Sequence, residues 1–297
     1  MTAHLPPAES GRGAEYWSAV YAAAPPARAG VVVDGVDVAA SVWPGVGTAD
    51  AGRDVVLIHG GAAHRQWWDH LAPLIRGAAT VVAVDLSGHG DSGRRDAYGL
   101  DAWADEVDAV AQSLCARQPV LVGASMGGLV AVHAAQRAPG SYRSVLVLDS
   151  PLRRGDGPHA RRRDRLASRP VPSYGSPEEA LARYRTFPPT DGPPAVMRHV
   201  ARTAYRRDGQ KWTLKYDPLI YRRPQVSDDL LEPAKIPTVW VRAEHGFVDA
   251  DTARIIPAKL GPLGALTEVP GAGHHLLLEQ PLATAWLIGL HLQQPGA

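Results

Sequence analysis

The residue best placed to do chemistry is Ser125, in the stretch Val120-Leu121-Val122-Gly123-Ala124-Ser125-Met126-Gly127-Gly128. An apolar run of strand type, PVLVG, stops at Gly123, and a helical pattern, MGGLVAVHAAQRA, begins straight after the serine. This is G-x-S-x-G between a strand and a helix, the setting in which the pattern has mechanical meaning. So tight a turn forces Ser125 into a strained backbone conformation. Small residues at Gly123 and Gly127 let strand and helix approach each other. The hydroxyl then stands at the helix N-terminus, where backbone amides favour developing negative charge. A serine hydroxyl is a weak nucleophile unaided, so a base must be found elsewhere in the chain. The bland alternative is a glycine-rich strand-to-helix turn with no chemistry.

The elements that must hold this turn follow from the apolar pattern. A helical segment, AEYWSAVYAAA, ends at Pro25-Pro26. VVVDGVDVAASVW reads as two strands joined at Asp34-Gly35, a tight hairpin signal. DVVLI (54–58) is a continuous apolar run, as a strand buried on both faces requires. It leads into His59-Gly60-Gly61-Ala62 and then AHRQWWDHLAPLI, which reads as a helix. Strand TVVAVDL (80–86), the polar turn SGHGDSGRR and helix LDAWADEVDAVAQSL precede the Ser125 turn, and strand SVLVLDS (144–150) follows its helix. The sheet pattern resumes at Ile236 with IPTVWVRAEHG, then a short strand ALTEVP, the sequence GAGHH, and a last amphipathic helix, PLATAWLIGLHLQQ. Strands alternating with helices predict an α/β fold, a mostly parallel, doubly wound sheet with helices on both faces.

Composition sets the bounds. A chain of 297 residues, 45% apolar and 21% charged, can bury one large core and carry an insertion. A net charge of +1 argues against a nucleic-acid or membrane-surface partner. A lone cysteine, Cys115, excludes an internal disulfide framework and reads as a buried structural thiol. The N-terminus has no apolar leader core and no run reaches membrane-spanning length, so a cytoplasmic protein is expected. Metal-type His/Cys spacing and a G-x-x-x-x-G-K loop are absent, and no cofactor is expected.

Taken together, HGG after a strand, VVAVDLSGHGDS, GASMGG, a Pro- and Arg-rich insertion, and a late GAGHH before LLLEQP make the chain resemble the α/β-hydrolase fold superfamily from about residue 30 onward. The resemblance implies a flexible N-terminus over 1–15, a core formed by 16–150 and 236–297, and a helical cap over 151–235, inserted after the sixth strand. It implies that Ser125 is the nucleophile and that the base comes late in the chain, at His274 in preference to its neighbour His275. It places the oxyanion hole at the amides of Met126 and Gly61, with Ala62 as second choice. Trp67, Trp68 and His64 are expected to line the substrate pocket, while His59 and His89 fall where the family uses histidine structurally, and His70 is placed near the pocket mouth.

The triad acid departs from the family pattern. Aligning Ala243-Glu244-His245-Gly246 to the usual G-x-x-D puts a glycine where the aspartate belongs. Asp149 matches the position that the haloalkane-dehalogenase-like branch uses, Glu244 stands at the strand end with a longer reach, and Asp249 or Asp251 are further options. In the cap, basic residues outnumber acidic ones roughly two to one. Its arginines read either as a solvated surface or as anchors for an anionic substrate group. The expected function is cofactor-independent hydrolysis of a carboxylic ester or lactone through an acyl-enzyme. Hydrolysis of a C–C bond, or a non-hydrolytic ligand-binding or biosynthetic role, is the alternative. The expected partner is a small molecule with an apolar acyl part, with a homodimer as the only protein assembly envisaged.

Overall fold

The computed structural model describes residues 13–44, 52–75, 78–152, 165–223 and 231–294. Its centre is an eight-stranded sheet in the order β1-β2-β4-β3-β5-β6-β10-β11. The first hairpin joins β1 (Ala27–Val33) to β2 (Val36–Pro44) through Asp34 and Gly35, at φ 50° and 76°. Two successive residues at positive φ are what a two-residue turn with the twist of its strands requires. Strand β2 runs against its neighbours, whereas β3 (Arg53–Ile58), β4 (Ala78–Val84), β5 (Val120–Ala124), β6 (Ser144–Leu148), β10 (Thr238–His245) and β11 (Gly264–Gly273) pair in parallel. Along β3, Val55 and Leu57 enter the core on one face while Val56 and Ile58 enter the core on the other. That double burial explains the unbroken apolar runs, each such side chain contributing about 2 kcal/mol on leaving water.

Helix α1 (Ala14–Ala23) inserts Trp17 into one core, where α7 (Pro281–Gln293) also packs. Helices α2 (Leu100–Leu114) and α3 (Met126–Arg137) cover the opposite face. Two readings need correction. AHRQWWDHLAPLI is two short 3₁₀ turns, Arg65–Trp68 and Ala72–Leu74, separated by loop. Arg65 breaks the helix pattern because it is buried and turned into the sheet: its backbone amide and its guanidinium both bond Asp85, and Nη2 lies 2.9 Å from Asp91. The last helix is buried nearly all round, at Ala283, Ala285, Ile288 and Leu292 but also at Thr284 and His291, so it is less amphipathic than expected. Cys115 is half-buried at the C-cap of α2, and burial pushes its thiol up to about 12, so it stays protonated at neutral pH.

The segment between β6 and β10 differs from the all-helical cap that was expected. It contains α4 (Pro177–Arg183), capped by Ser176, and α5 (Pro194–Thr203), but also a three-stranded antiparallel sheet. Strand β9 (Lys211–Leu214) is flanked there by β7 (Ser173–Tyr174) and β8 (Tyr205–Asp208). The missed signal is Asp208-Gly209: Gly209 sits at φ 59° in the turn of the β8–β9 hairpin. Residues 1–12 and the arginines Arg153, Arg154, Arg161, Arg162 and Arg163 lie outside the described residues.

Two predictions concern stability. A Cβ on Gly123 would stand 2.3 Å from the Gly127 carbonyl oxygen, backbone against backbone. Gly123→Ala is expected to lower unfolding stability by about 3 kcal/mol in urea titrations, and an unchanged midpoint would refute the close approach. His70 is fully buried, donates from Nε2 to the Leu277 carbonyl at 2.8 Å, and is pushed down to about 4 by burial. Its folded-state value lies below the ordinary 6.5, so its contribution is complete above pH 6.5 and is lost as pH falls toward 4. His70→Gln is expected to flatten the stability-versus-pH curve in that window by up to about 1.4 kcal/mol per pH unit.

Candidate active site

The strand–turn–helix at Ser125 is built as its sequence requires. Ser125 sits at φ 52°, ψ −118°, outside the regions that side-chain-bearing residues ordinarily occupy. Three hydrogen bonds hold it there: its amide donates to Leu148 O at 2.9 Å, its carbonyl accepts from Gly128 N at 3.1 Å, and the Ser150 hydroxyl adds another at 2.5 Å. A Cβ on Gly127 would meet the Ile58 carbonyl at 2.4 Å, so the helix start touches the neighbouring strand with no room for a side chain.

The Ser125 hydroxyl faces His274, with Oγ 3.1 Å from Nε2. The other ring nitrogen, Nδ1, lies 2.7 Å from Asp149 Oδ2. An ionised carboxylate only accepts, so Nδ1 carries the proton, and Nε2 is left as the acceptor for the serine hydroxyl. Asp149 is fully buried at the end of β6, and its oxygens also accept from the amides of Ala243 at 3.1 Å and Phe247 at 2.7 Å. The Phe247 ring stacks on His274 at 4.0 Å. Behind the histidine, Glu279 accepts from the amides of Gly273 at 2.6 Å and His275 at 3.2 Å, which fixes the GAGHH loop.

The missing aspartate has a steric explanation. A Cβ on Gly246 would stand 2.2 Å from Asp149 Oδ2. The carboxylate that could have come from the turn after β10 is therefore replaced by one from the end of β6, and the glycine makes the space for it. The other candidate acids lie elsewhere. Glu244 is turned away from His274 and accepts from the Gly271 amide at 2.7 Å. Asp249 caps α6 (Ala250–Leu260) through the Thr252 amide, and Asp251 pairs with Arg254 in solvent.

Gly61 and Met126 both line a cavity of about 350 Å³ at Ser125, and among the described residues neither amide finds an acceptor. Ala62, the second choice, lines it too, at φ 59°. His59 positions this loop: Nδ1 donates to Gly60 O at 2.7 Å and Nε2 accepts from the Leu86 amide at 3.1 Å, while burial pushes its pKa down and keeps it neutral. Trp67 lines the cavity. Trp68 and His64, expected beside it, do not: Trp68 is wholly in the core, and His64 is buried where its ring meets no hydrogen-bond partner among the described residues. His70 lies against Trp17 instead of at the mouth. His275 lines the cavity with its ring 5.3 Å from Trp67, and burial next to His274 pushes its pKa down to about 3. No sequence pattern singles out Phe187 and Phe247, yet the chain's two phenylalanines both line this cavity.

This arrangement can activate a hydroxyl next to two unengaged amides. The alpha/beta hydrolase family matches residues 55–285, most of the chain and all of this site. The chain belongs to the alpha/beta hydrolase family. As such an alpha/beta hydrolase, it resembles curated relatives over part of its length. A pimeloyl-[acyl-carrier protein] methyl ester esterase of Neisseria meningitidis is 41% identical over 101 residues, 34% of this chain and 38% of that protein. The protein so named in Chromobacterium violaceum is 34% identical over 145 residues, 47% of this chain and 54% of that protein. The chain thus spans about half or less of the curated relatives it matches. Solved structures share the fold at low identity. An E-2-(acetamidomethylene)succinate hydrolase superposes with a TM-score of 0.75 at 21% identity, covering 91% of this chain and 100% of the other. A thioesterase domain from the curacin biosynthetic pathway gives 0.73 at 20%, covering 89% and 99%.

The Asp149–Gly246 exclusion is testable by a double-mutant cycle. Gly246→Asp alone is expected to displace the Asp149 carboxylate and lower the melting temperature. Combining it with Asp149→Gly, at a position whose φ of 43° suits glycine, should recover most of the loss. A coupling of about 2 kcal/mol or more is expected, and additive effects would argue against a shared carboxylate space.

Proposed function

We propose that this alpha/beta hydrolase cleaves carboxylic esters through an acyl-enzyme, with Ser125 as nucleophile, His274 as general base and Asp149 as the acid that orients it. The observation that carries the reading is the continuous chain from Ser125 Oγ through His274, 3.1 Å and then 2.7 Å to Asp149, opening on the cavity. Oγ attacks the ester carbonyl while its proton passes to Nε2. The carbonyl oxygen, now negative, is held by the amides of Gly61 and Met126. Collapse expels the alcohol, which takes the proton from His274. Water then repeats the sequence on the acyl-enzyme, releasing the carboxylic acid and restoring Ser125. Asp149 keeps the proton on Nδ1 and stabilises the imidazolium.

The partly matching relatives are named as methyl ester esterases, which favours a methyl ester of an acyl chain over a lactone. A ligand-binding role would suit a site with no acid beside the histidine; Asp149, 2.7 Å from His274, supplies a carboxylate there and favours the hydrolytic reading.

Incubation with a fluorophosphonate is expected to add one adduct, mapped to Ser125 by peptide mass, that is absent in His274→Ala. In the same assay format, Asp149→Asn should lower kcat for a methyl ester by about 10⁴, as losing a triad acid does elsewhere. An unlabelled Ser125, under conditions that label an ordinary serine esterase, would sink the acyl-enzyme reading.

A further inference from the structure

The imidazole of His274 is held at both edges, by Asp149 at 2.7 Å from Nδ1 and by Ser125 at 3.1 Å from Nε2. Bonds at ring nitrogens lie in the ring plane, so these two leave the ring able to rock about the line that joins them. The second torsion of a histidine is soft and resists such rocking weakly. The face of the ring is held by another residue. Phe247 stacks on it with centroids 4.0 Å apart and planes 25° from parallel.

Phe247 is itself fixed by its place in the chain. Its amide donates to Asp149 Oδ2 at 2.7 Å, the same oxygen that accepts from His274. Before it, the Gly246 amide closes a turn on Ala243 O at 3.0 Å. After it, the Val248 carbonyl accepts from Arg242 Nε at 2.7 Å, Val248 is buried, and Asp249 caps α6. The turn after β10 carries no acid at Gly246, yet it serves the acid through a backbone amide and the base through a ring. The titratable groups against His274 are Ser125, Asp149 and His275, and burial keeps His275 neutral. The cavity wall adds the guanidiniums of Arg185 and Arg223 and the phenols of Tyr184, Tyr216 and Tyr221.

We propose that Phe247 is a positioning residue for the base: its ring holds the His274 plane in line with Ser125 and Asp149 and stabilises the imidazolium that forms when the serine gives up its proton. The proposal rests on the hydrolytic reading above. In that step the Oγ–H bond breaks and an Nε2–H bond forms, while Oγ bonds the ester carbonyl carbon and the carbonyl π pair moves to oxygen. The positive charge on the imidazole then faces the negative π surface of Phe247, an attraction much weaker for the neutral ring. An interaction stronger in the charged form than in the resting form lowers the barrier instead of merely tightening the ground state.

The test changes the charge of the ring face while keeping its shape. The chain has two phenylalanines, and neither is among the buried core residues, so fluorinated phenylalanine supplied in the growth medium leaves the core untouched. In a Phe187→Leu background the label sits at position 247 alone. Protein with phenylalanine, 4-fluorophenylalanine and 3,5-difluorophenylalanine is compared in two ways. One is the acid limb of the kcat/KM–pH profile for a methyl ester. The other needs no catalysis: the His274 ring titration, followed by NMR in Ser125→Ala. A ring face that favours the charged imidazole holds its proton to higher pH, so weakening that face moves both midpoints to lower pH. The shift is expected to grow with each fluorine and to reach about half a pH unit in Phe247→Leu, which also lowers kcat. Phe247→Tyr should restore the midpoint and kcat. Midpoints that ignore fluorination, or rise with it, overturn the inference whatever kcat does, because packing depends on shape alone. A midpoint that moves by NMR in protein whose Ser125 takes no fluorophosphonate would uphold the role of the ring and overturn the hydrolytic reading.

Discussion

The contact on which the site depends is the backbone approach of α3 to strands β3 and β5. Gly123 and Gly127 leave no space for a Cβ, and the nearest atoms are main chain. With helix and strands this close, only a reversal of one residue can join β5 to α3. Ser125 takes the positive φ that such a reversal demands. Strain of about 1–3 kcal/mol at one residue is sustained because both faces of the sheet are buried around it. The same approach sets the Met126 amide at the first turn of the helix, beside the Gly60-Gly61 loop.

The remaining members are placed by devices that fix loops. His59, neutral and bonded on both nitrogens, clamps the loop that carries Gly61. Arg65, buried against Asp85 and Asp91, ties the following 3₁₀ turn to the end of β4. Glu279 holds the loop of His274 through two amides. Each is a charged or polar group taken out of water and kept by partners, and such groups lock geometry at the expense of tolerance to substitution.

Asp149 shows how one carboxylate space can be reached from two strands. Gly246 and Asp149 form a steric pair: a side chain at one excludes the carboxylate of the other. Because β6 and β10 are neighbours in parallel register, their C-terminal ends open on the same spot beside His274. The insertion is where the family frame gives least guidance. A small antiparallel sheet lies beside two helices there, and two arginines of the insertion, Arg185 and Arg223, line the cavity.

The sequence by itself determined the main sheet and the serine turn, because these depend on local pattern: apolar runs, glycine spacing and chain order, and the family resemblance that those patterns carry added the oxyanion candidates. It also reduced the candidates for a base to two adjacent histidines. It could not choose among Asp149, Glu244 and Asp249 or Asp251, since that choice turns on which strand ends lie side by side and on the space a glycine leaves. Nor could it separate Trp67 from Trp68, one lining the cavity and the other wholly in the core, because the burial of Arg65 breaks the helical period that would have related them. The arginines are the clearest case. Their number is a property of composition, but which two line the cavity at Ser125 depends on where loops fold back over the sheet, and only tertiary packing decides that.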